Sequence, residues 1–263
     1  MNLIALPALT DNYIWMLHDG RDAIVVDPGD SAPVRHALST LKLELVGILV
    51  THHHHDHVDG IAGLRDLLRG EVHGPATERI PGPCSPVIHG QVVTIQGWQF
   101  ETLLIPGHTA GHVGYVHTNT DAGPLVFCGD TLFSGSCGRL FEGTPAQMLA
   151  SLHCLAALPG NTRVCCTHEY TVANMKFARV VEPLNEQVLE HQRWCELQRH
   201  AGRPTLPSSI DLEREINPFL RCNQPAVRQS VQDHGGLSVE TGDSDGELAV
   251  FTVLRQWKNE FRA

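Results

Sequence analysis

The segment Thr51-His52-His53-His54-His55-Asp56-His57 constrains this chain more than any other. It follows Leu45–Val50, an apolar run that reads as a buried strand. It precedes Val58–Leu68, whose apolar spacing predicts a helix. Imidazoles and a carboxylate are therefore concentrated in a strand-to-helix turn. Neutral imidazole nitrogen and carboxylate oxygen are the donors that Zn, Mn and Fe accept. A purification tag would sit at a terminus and lack this context.

The pattern recurs. Thr102–Gly107 leads into His108, Pro124–Gly129 into Asp130, and Arg163–Thr167 into His168. Layered α/β sheets place sites at the C-terminal ends of strands. If these strands neighbour one another, His52, His54, Asp56, His57, His108, Asp130 and His168 converge on one edge. Seven ligands exceed the need of one tetrahedral ion and suit two adjacent ions sharing a carboxylate. Singly, each signal is weak: a lone His after a strand is more often structural, and Gly-Asp is more often a turn.

Elsewhere the first two-thirds reads as short strands punctuated by Gly and Pro. Tyr13–Leu17 and Ala23–Val26 pair through a turn at Asp19-Gly20. Ser31–Thr40 is helical, with Ser31 as N-cap, and Gln91–Ile95 with Gln99–Ile105 forms a hairpin turning at Gln96-Gly97. His112–His117, Leu125–Cys128 and Arg163–Cys166 are strands. Pro145–Leu158 is a helix capped by Thr144. Beyond residue 170, Ala173–Val181, Asn185–His200 and Leu248–Phe261 have helical spacing and strand signals are scarce. This predicts two domains, residues 1–170 and 171–263. The Gly-rich, acidic stretch 234–246 reads as a surface loop.

A formal net charge of −10 argues against a nucleic-acid partner, which needs a basic footprint. No signal peptide or membrane span is evident, and the eight cysteines form no regular framework. Reduced thiols in the cytoplasm are the expectation. Without a heptad seam, so is a monomer.

Thr51-His52-x-His54-x-Asp56-His57, with His108, Asp130 and His168 downstream, resembles the metallo-β-lactamase superfamily signature. Phe127–Thr144, Thr167–Ala178, Asp11–Trp15, Val26–Gly29, Asn217–Arg221 and Arg255–Phe261 narrow the resemblance to its glyoxalase II (hydroxyacylglutathione hydrolase) branch, over nearly the full length. The resemblance implies an αββα sandwich with a smaller all-helical C-terminal domain. It implies a catalytic domain over 1–170 and a glutathione-binding domain over 171–263. It implies that His52, His54 and His108 hold one divalent metal ion, that Asp56, His57 and His168 hold a second, and that Asp130 bridges them. Zn is the foremost candidate, with Fe or Mn as alternatives. Asp56, His54 and Asp130 would carry catalysis. The implied reaction is hydrolysis of a small-molecule thioester, S-D-lactoylglutathione, to D-lactate and glutathione. Arg139, Phe141, Tyr170, Lys176, Arg255 and Lys258 would bind substrate. His53 and His55 would flank the metals and His112 would be structural. The chain departs from the family at Phe141 (often Tyr), Arg139 (often Lys) and Asp59 (commonly Gly), the last adding negative charge near the metals. A single-iron persulfide dioxygenase, a lactonase, an RNA-processing nuclease and a non-catalytic metal buffer are the rival readings.

Overall fold

The computed structural model describes residues 1–118, 123–235 and 244–262. Two six-stranded sheets face each other. The first contains, in order, β1 (Asn2–Ala8), β2 (Asn12–His18), β3 (Asp22–Val26), β4 (Glu44–Leu49), β5 (Leu68–Pro75) and β6 (Ser85–Val87). Helix α1 (Ser31–Leu41) joins β3 to β4, and the single turn α2 (His55–Val58) follows β4. β1 to β3 run antiparallel, and β3 to β6 run parallel. The second sheet holds β7 (Val92–Ile95), β8 (Trp98–Leu104), β9 (Val113–His117), β10 (Leu125–Gly129), β13 (Arg163–Cys166) and β14 (Ser208–Ser209). Between β10 and β13 lie the hairpin β11 (Leu132–Phe133) with β12 (Ser136–Cys137), and helix α3 (Pro145–Ala156). The C-terminal segment adds α4 (Thr171–Val181), α5 (Glu186–His200), α6 (Ile210–Ile216), α7 (Pro225–Gly235) and α8 (Ser244–Glu260).

The strand β2 shows why the sequence folds this way. Every one of its residues is buried. Tyr13, Trp15 and Leu17 point between the sheets, where they meet Phe100, Ile105 and Tyr115. Ile14 and Met16 point outward, onto Val34, Ala37 and Leu38 of α1. Alternate residues of a strand face opposite sides, so a strand covered on both reads as a continuous apolar run. The outer side of the second sheet is covered by Met148, Leu152 and Leu155 of α3. These merge with Phe219, Phe251 and Leu254 of the C-terminal segment in one core. This αββα layering is the fold expected from the sequence, and the tail contributes β14 to the sheet besides its helices.

Several local expectations change. The helix over 58–68 is reduced to α2 and a 3-10 turn at Ala62–Leu64. Gly60 lies so close to the backbone of Pro28 and Asp30 that a Cβ there would sit 2.5 Å from both, so packing against that loop replaces helical continuation. β1, β5, β6, β14, α6 and α7 carried no clear sequence signal. β5 is buried only toward its C-terminal half and is held by pairing with β4. The N-cap of α1 is Asp30, whose carboxylate accepts from the Ala32 amide; Ser31 is the first helical residue. Thr144 does cap α3, in a reciprocal box with Gln147. Gln96 and Gly97 both take positive φ in the β7–β8 hairpin, as a tight two-residue turn requires. Of the stretch 234–246, residues 236–243 lie outside the described residues; the rest ends α7 and begins α8.

Candidate metal centre

β8, β10 and β13 run in the same direction, because β8 and β10 are each antiparallel to β9 and β10 is parallel to β13. Their C-terminal ends, and that of β4 from the facing sheet, therefore open onto one place. Two groups of residues able to hold a metal ion meet there. His52, His54 and His108 form the first. Nδ1 of His54 lies 3.0 Å from Nε2 of His52 and 3.0 Å from Nε2 of His108. Asp56, His57 and His168 form the second. Oδ2 of Asp56 stands 3.5 Å from His57 Nε2 and 3.3 Å from His168 Nε2. Asp130 reaches both groups: its Oδ1 is 3.4 Å from His57 Nε2, and its Oδ2 is 3.4 Å from Nε2 of both His108 and His168.

The surroundings bias these groups differently. Burial holds the His52, His54 and His108 imidazoles below their ordinary pKa, in the neutral form that ligates metals. Burial acts the same way on His57, but Asp130 and Asp27 outweigh it and push the ring up to about 10. For His168 burial is likewise outweighed, by Asp130, Asp56 and Asp11, which push it up to about 11. Burial alone would raise the Asp130 carboxyl, yet the imidazoles of His57 and His168 hold it well below the carboxylate range. The centre thus gathers carboxylates that demand positive charge.

Two observations test whether a metal fits. His57 Nε2 and Asp130 Oδ1 are buried without an aligned hydrogen bond. In the first group three ring nitrogens crowd one point at hydrogen-bonding distance, where a shared cation satisfies all of them. Both features suit divalent ions, and the His/Asp donor set accepts Zn, Fe or Mn.

An outer layer orients these donors. His168 Nδ1 lies 2.7 Å from Asp11 Oδ1, and Asn12 donates to Asp56 Oδ2 at 2.9 Å. Asp27 accepts from the Thr51 amide and hydroxyl, each at 2.7 Å, and lies 3.1 Å from His57 Nδ1. His108 Nδ1 lies 2.9 Å from the Arg139 carbonyl, where it can donate. Such partners fix ring orientation and raise ligand basicity. His112 is structural, as expected: it stacks on His52 with ring centroids 4.6 Å apart and accepts from the Asp130 amide.

The centre floors a cleft of about 610 Å³ lined by His54, Asp56, His108, Asp130 and His168, with Phe133, Arg139, Phe141, Tyr170, Arg255 and Lys258 on its walls. Arg139, Arg255 and Lys258 have no acidic partner among the described residues. Burial, and then the positive charge of Arg255 and Arg139, hold Lys258 down at about 8. Its ammonium lies over the Phe177 and Phe261 rings. Tyr170 stacks flat on His168, at 4.7 Å and 5°. Burial keeps its hydroxyl protonated, as a donor. Phe141 is 63% exposed and presents its ring to the edges of His54 and His108.

Of the six residues expected to bind substrate, five line the cleft. Lys176 is exposed on α4 and does not line the cleft. The Asp59 side chain is exposed and pairs with His55 one helical turn earlier. Arg255 does more than line the cleft. It is 5% exposed and donates to the Cys137 carbonyl at 2.7 Å, which fastens α8 to the β11–β12 hairpin. Sequence reasoning gave no role to Asp11, Asn12 or Asp27, although all three fall in quoted motifs. It had no signal for Glu78.

Comparison with known proteins agrees with this geometry. Residues 9–168 match the family model of the metallo-beta-lactamase superfamily, and 169–261 match that of the hydroxyacylglutathione hydrolase C-terminus. The chain is 54% identical over 261 residues to a hydroxyacylglutathione hydrolase of Albidiferax ferrireducens, covering 99% of this chain and 100% of that one. It is 50% identical over 266 residues to one of Cupriavidus taiwanensis, covering 98% of each. Among solved structures it resembles TTHA1623 in a di-iron-bound form, with a TM-score of 0.58, 26% identity, and 84% and 100% of the two chains covered.

Proposed function

The chain belongs to the hydroxyacylglutathione hydrolase family of the metallo-beta-lactamase superfamily, and from that premise we propose that it hydrolyses S-D-lactoylglutathione to D-lactate and glutathione. One observation carries the reading to this chain's own residues. A His/Asp metal centre and three cations without acidic partners share one cleft. A glutathione thioester supplies both a reactive carbonyl and two carboxylates.

His52, His54 and His108 would hold one divalent ion, Asp56, His57 and His168 a second, with Asp130 between them; Zn is the foremost candidate, with Fe or Mn as alternatives. Bound there, such ions supply Lewis acidity, which lowers the pKa of water and polarises a carbonyl. Asp56 orients the attacking water: Asn12 fixes one of its oxygens and the side chain faces the cleft. Lys258 and Arg139 bind the glutathione carboxylates, with Arg255 holding the wall that carries them. Tyr170 donates its hydroxyl to the substrate, and Phe133 and Phe141 exclude water from the apolar side. The thiolate leaves without a strong acid, so none is required beside it. Residues 1–170 would form the catalytic domain, and 171–263 the part that contributes Tyr170's helix, Arg255 and Lys258 to substrate binding.

Eight free thiols, six of them buried, suit a reducing compartment and support a cytoplasmic reading. No helix among the described residues is long and apolar enough to cross a membrane. We take the protein as a monomer that engages a small molecule rather than nucleic acid. The test is loss of thioester absorbance with purified protein, before and after chelation, alongside elemental analysis. Rapid, chelator-sensitive turnover is expected. No turnover by protein carrying two metals per chain rejects the substrate assignment; a single bound iron with no turnover favours the persulfide dioxygenase instead.

A further inference from the structure

The first ligand group is assembled from two sheets. His52 and His54 follow β4 in one, and His108 follows β8 in the other. Their nitrogens converge only if two loops keep a fixed separation. We propose that Glu78 is the positioning residue that sets it. Glu78 lies just beyond β5, and its side chain is only 3% exposed. Oε2 accepts from the His53 amide at 2.7 Å, and His53 Nδ1 lies 2.9 Å from the same oxygen. The His53 amide stands between the two ligands His52 and His54 in the chain. Oε1 accepts from the Gly111 amide at 3.0 Å and from the Thr109 hydroxyl, in the loop that carries His108. One buried carboxylate therefore clamps both ligand loops, and each of its oxygens is committed to one of them.

The loop is shaped to admit it. A Cβ on Gly111 would lie 2.3 Å from Thr77 Oγ1 and 2.7 Å from Glu78 Cγ, so only glycine lets the carboxylate approach the amide. The clamp also extends to the substrate wall. His53 Nε2 lies 3.5 Å from Glu142 Oε1, whose other oxygen accepts from the Ala110 amide at 2.9 Å. Glu142 follows Phe141, and the Phe141 amide donates to the His108 carbonyl. This gives His53 a part that the metal-ligand pattern does not assign.

Glutamine cannot replace this carboxylate. It offers one acceptor oxygen, and its amide would face either the His53 or the Gly111 N–H, two donors meeting. Aspartate is one methylene shorter and cannot span both loops.

The inference rests on reading His52, His54 and His108 as metal ligands, so its test begins with metal binding, which needs no substrate. Full-length protein is stripped of metal by chelator dialysis, then titrated with Zn²⁺ against a competing chelator and, separately, with Co²⁺ followed by visible absorption. His54→Ala identifies which step and which bands belong to the first group. In Glu78→Gln the far-UV circular dichroism should be unchanged, the first-group affinity should fall roughly 10- to 100-fold, and the first-group Co²⁺ bands should shift. The second-group step should stay within about twofold. Should Glu78→Gln fail to fold, Thr109→Val removes one donor from the clamp and should shift the same bands. A variant with a lower melting temperature but unaltered first-group affinity and spectrum overturns the proposal, since Glu78 would then be merely structural. Loss of a third bound equivalent also overturns it, by making Glu78 a ligand alongside His53 and Glu142. Wild-type protein that binds no metal refutes the ligand reading itself, and the proposal with it.

Discussion

Replacing Lys258 with Met should raise KM for a glutathione thioester and remove the part of its pH dependence between pH 7 and 9 that Lys258 contributes. Lys258 sits in a cleft with Arg139 and Arg255 and no acidic partner among the described residues, and burial and those charges hold it at about 8. A lowered lysine pKa means that the ammonium is present below that value and lost above it. The group is therefore roughly nine-tenths protonated at pH 7 and one-tenth at pH 9. A carboxylate that needs the charge loses roughly tenfold in apparent affinity over that interval, about 1.4 kcal/mol. Met keeps an unbranched stem against Phe177 and Phe261 while removing the charge. Losing one charge-assisted bond costs about 1.5–3 kcal/mol, or roughly 12- to 150-fold in KM at pH 7. The assay is the initial rate of thioester loss across substrate concentrations at half-unit pH steps. Titration of the substrate's own amine contributes equally to both proteins, so the difference between their profiles isolates Lys258. A wild-type KM that is flat from pH 7 to 9, or an equal slope in the variant, would refute the reasoning.

Three further predictions follow from the same geometry. Glu213 is fully buried and accepts from the Gly135 amide, the Asn217 amide group and Ser208, and so joins the C-terminal segment to the β11–β12 hairpin. Glu213→Ala strands those donors and should cost roughly 3–5 kcal/mol in urea unfolding at pH 7. Glu213→Gln should stay within about 1 kcal/mol, because its oxygen can serve Gly135 and its amide can donate to Ser208. Burial raises the Glu213 pKa, so its ionisation opposes folding. Relative to the Gln variant, wild type should lose stability as pH rises from its unfolded-state pKa toward the raised folded value. Equal destabilisation by Gln and Ala would overturn this account. Asp11→Asn, which weakens the partner of His168 Nδ1, should lower affinity for the second metal roughly 10- to 100-fold in a competitive chelator titration and leave the first untouched. Asp56→Ala should abolish most thioester turnover in protein reloaded with metal; full activity would remove Asp56 from the water-orienting role.

How much was legible depended on where each signal resides. The candidate ligand set was readable because its seven donors follow four apolar strands within a few residues, four of them after β4, and such local juxtapositions survive in the linear pattern. The strands β2, β4, β9, β10 and β13 were readable because burial on both faces writes them as unbroken apolar runs. The helix expected after Val58 was misread because Val58, Ile61 and Leu64 do join the core with α1, while Gly60 between them packs against the backbone of Pro28 and Asp30, about thirty residues away. β5 was missed because its partner β4 supplies the hydrogen bonds, and only three of its eight residues are buried. Lys176 was selected by resemblance, while its position on the exposed side of α4 was decided by which face of that helix meets the core.

The sequence by itself determined the donor chemistry, the strand ends that carry it and the layered fold class, since these follow from residue type and short-range periodicity. Only the tertiary structure decided which groups face them. Asp11 against His168, Glu169 against Tyr13, Asp27 against Thr51 and Glu78 between two loops are contacts across 24 to 157 residues. The physical reason is that a lone carboxylate in a sequence looks the same whether water or a buried imidazole will satisfy it. Its role is set when two sheets close over it and remove the water.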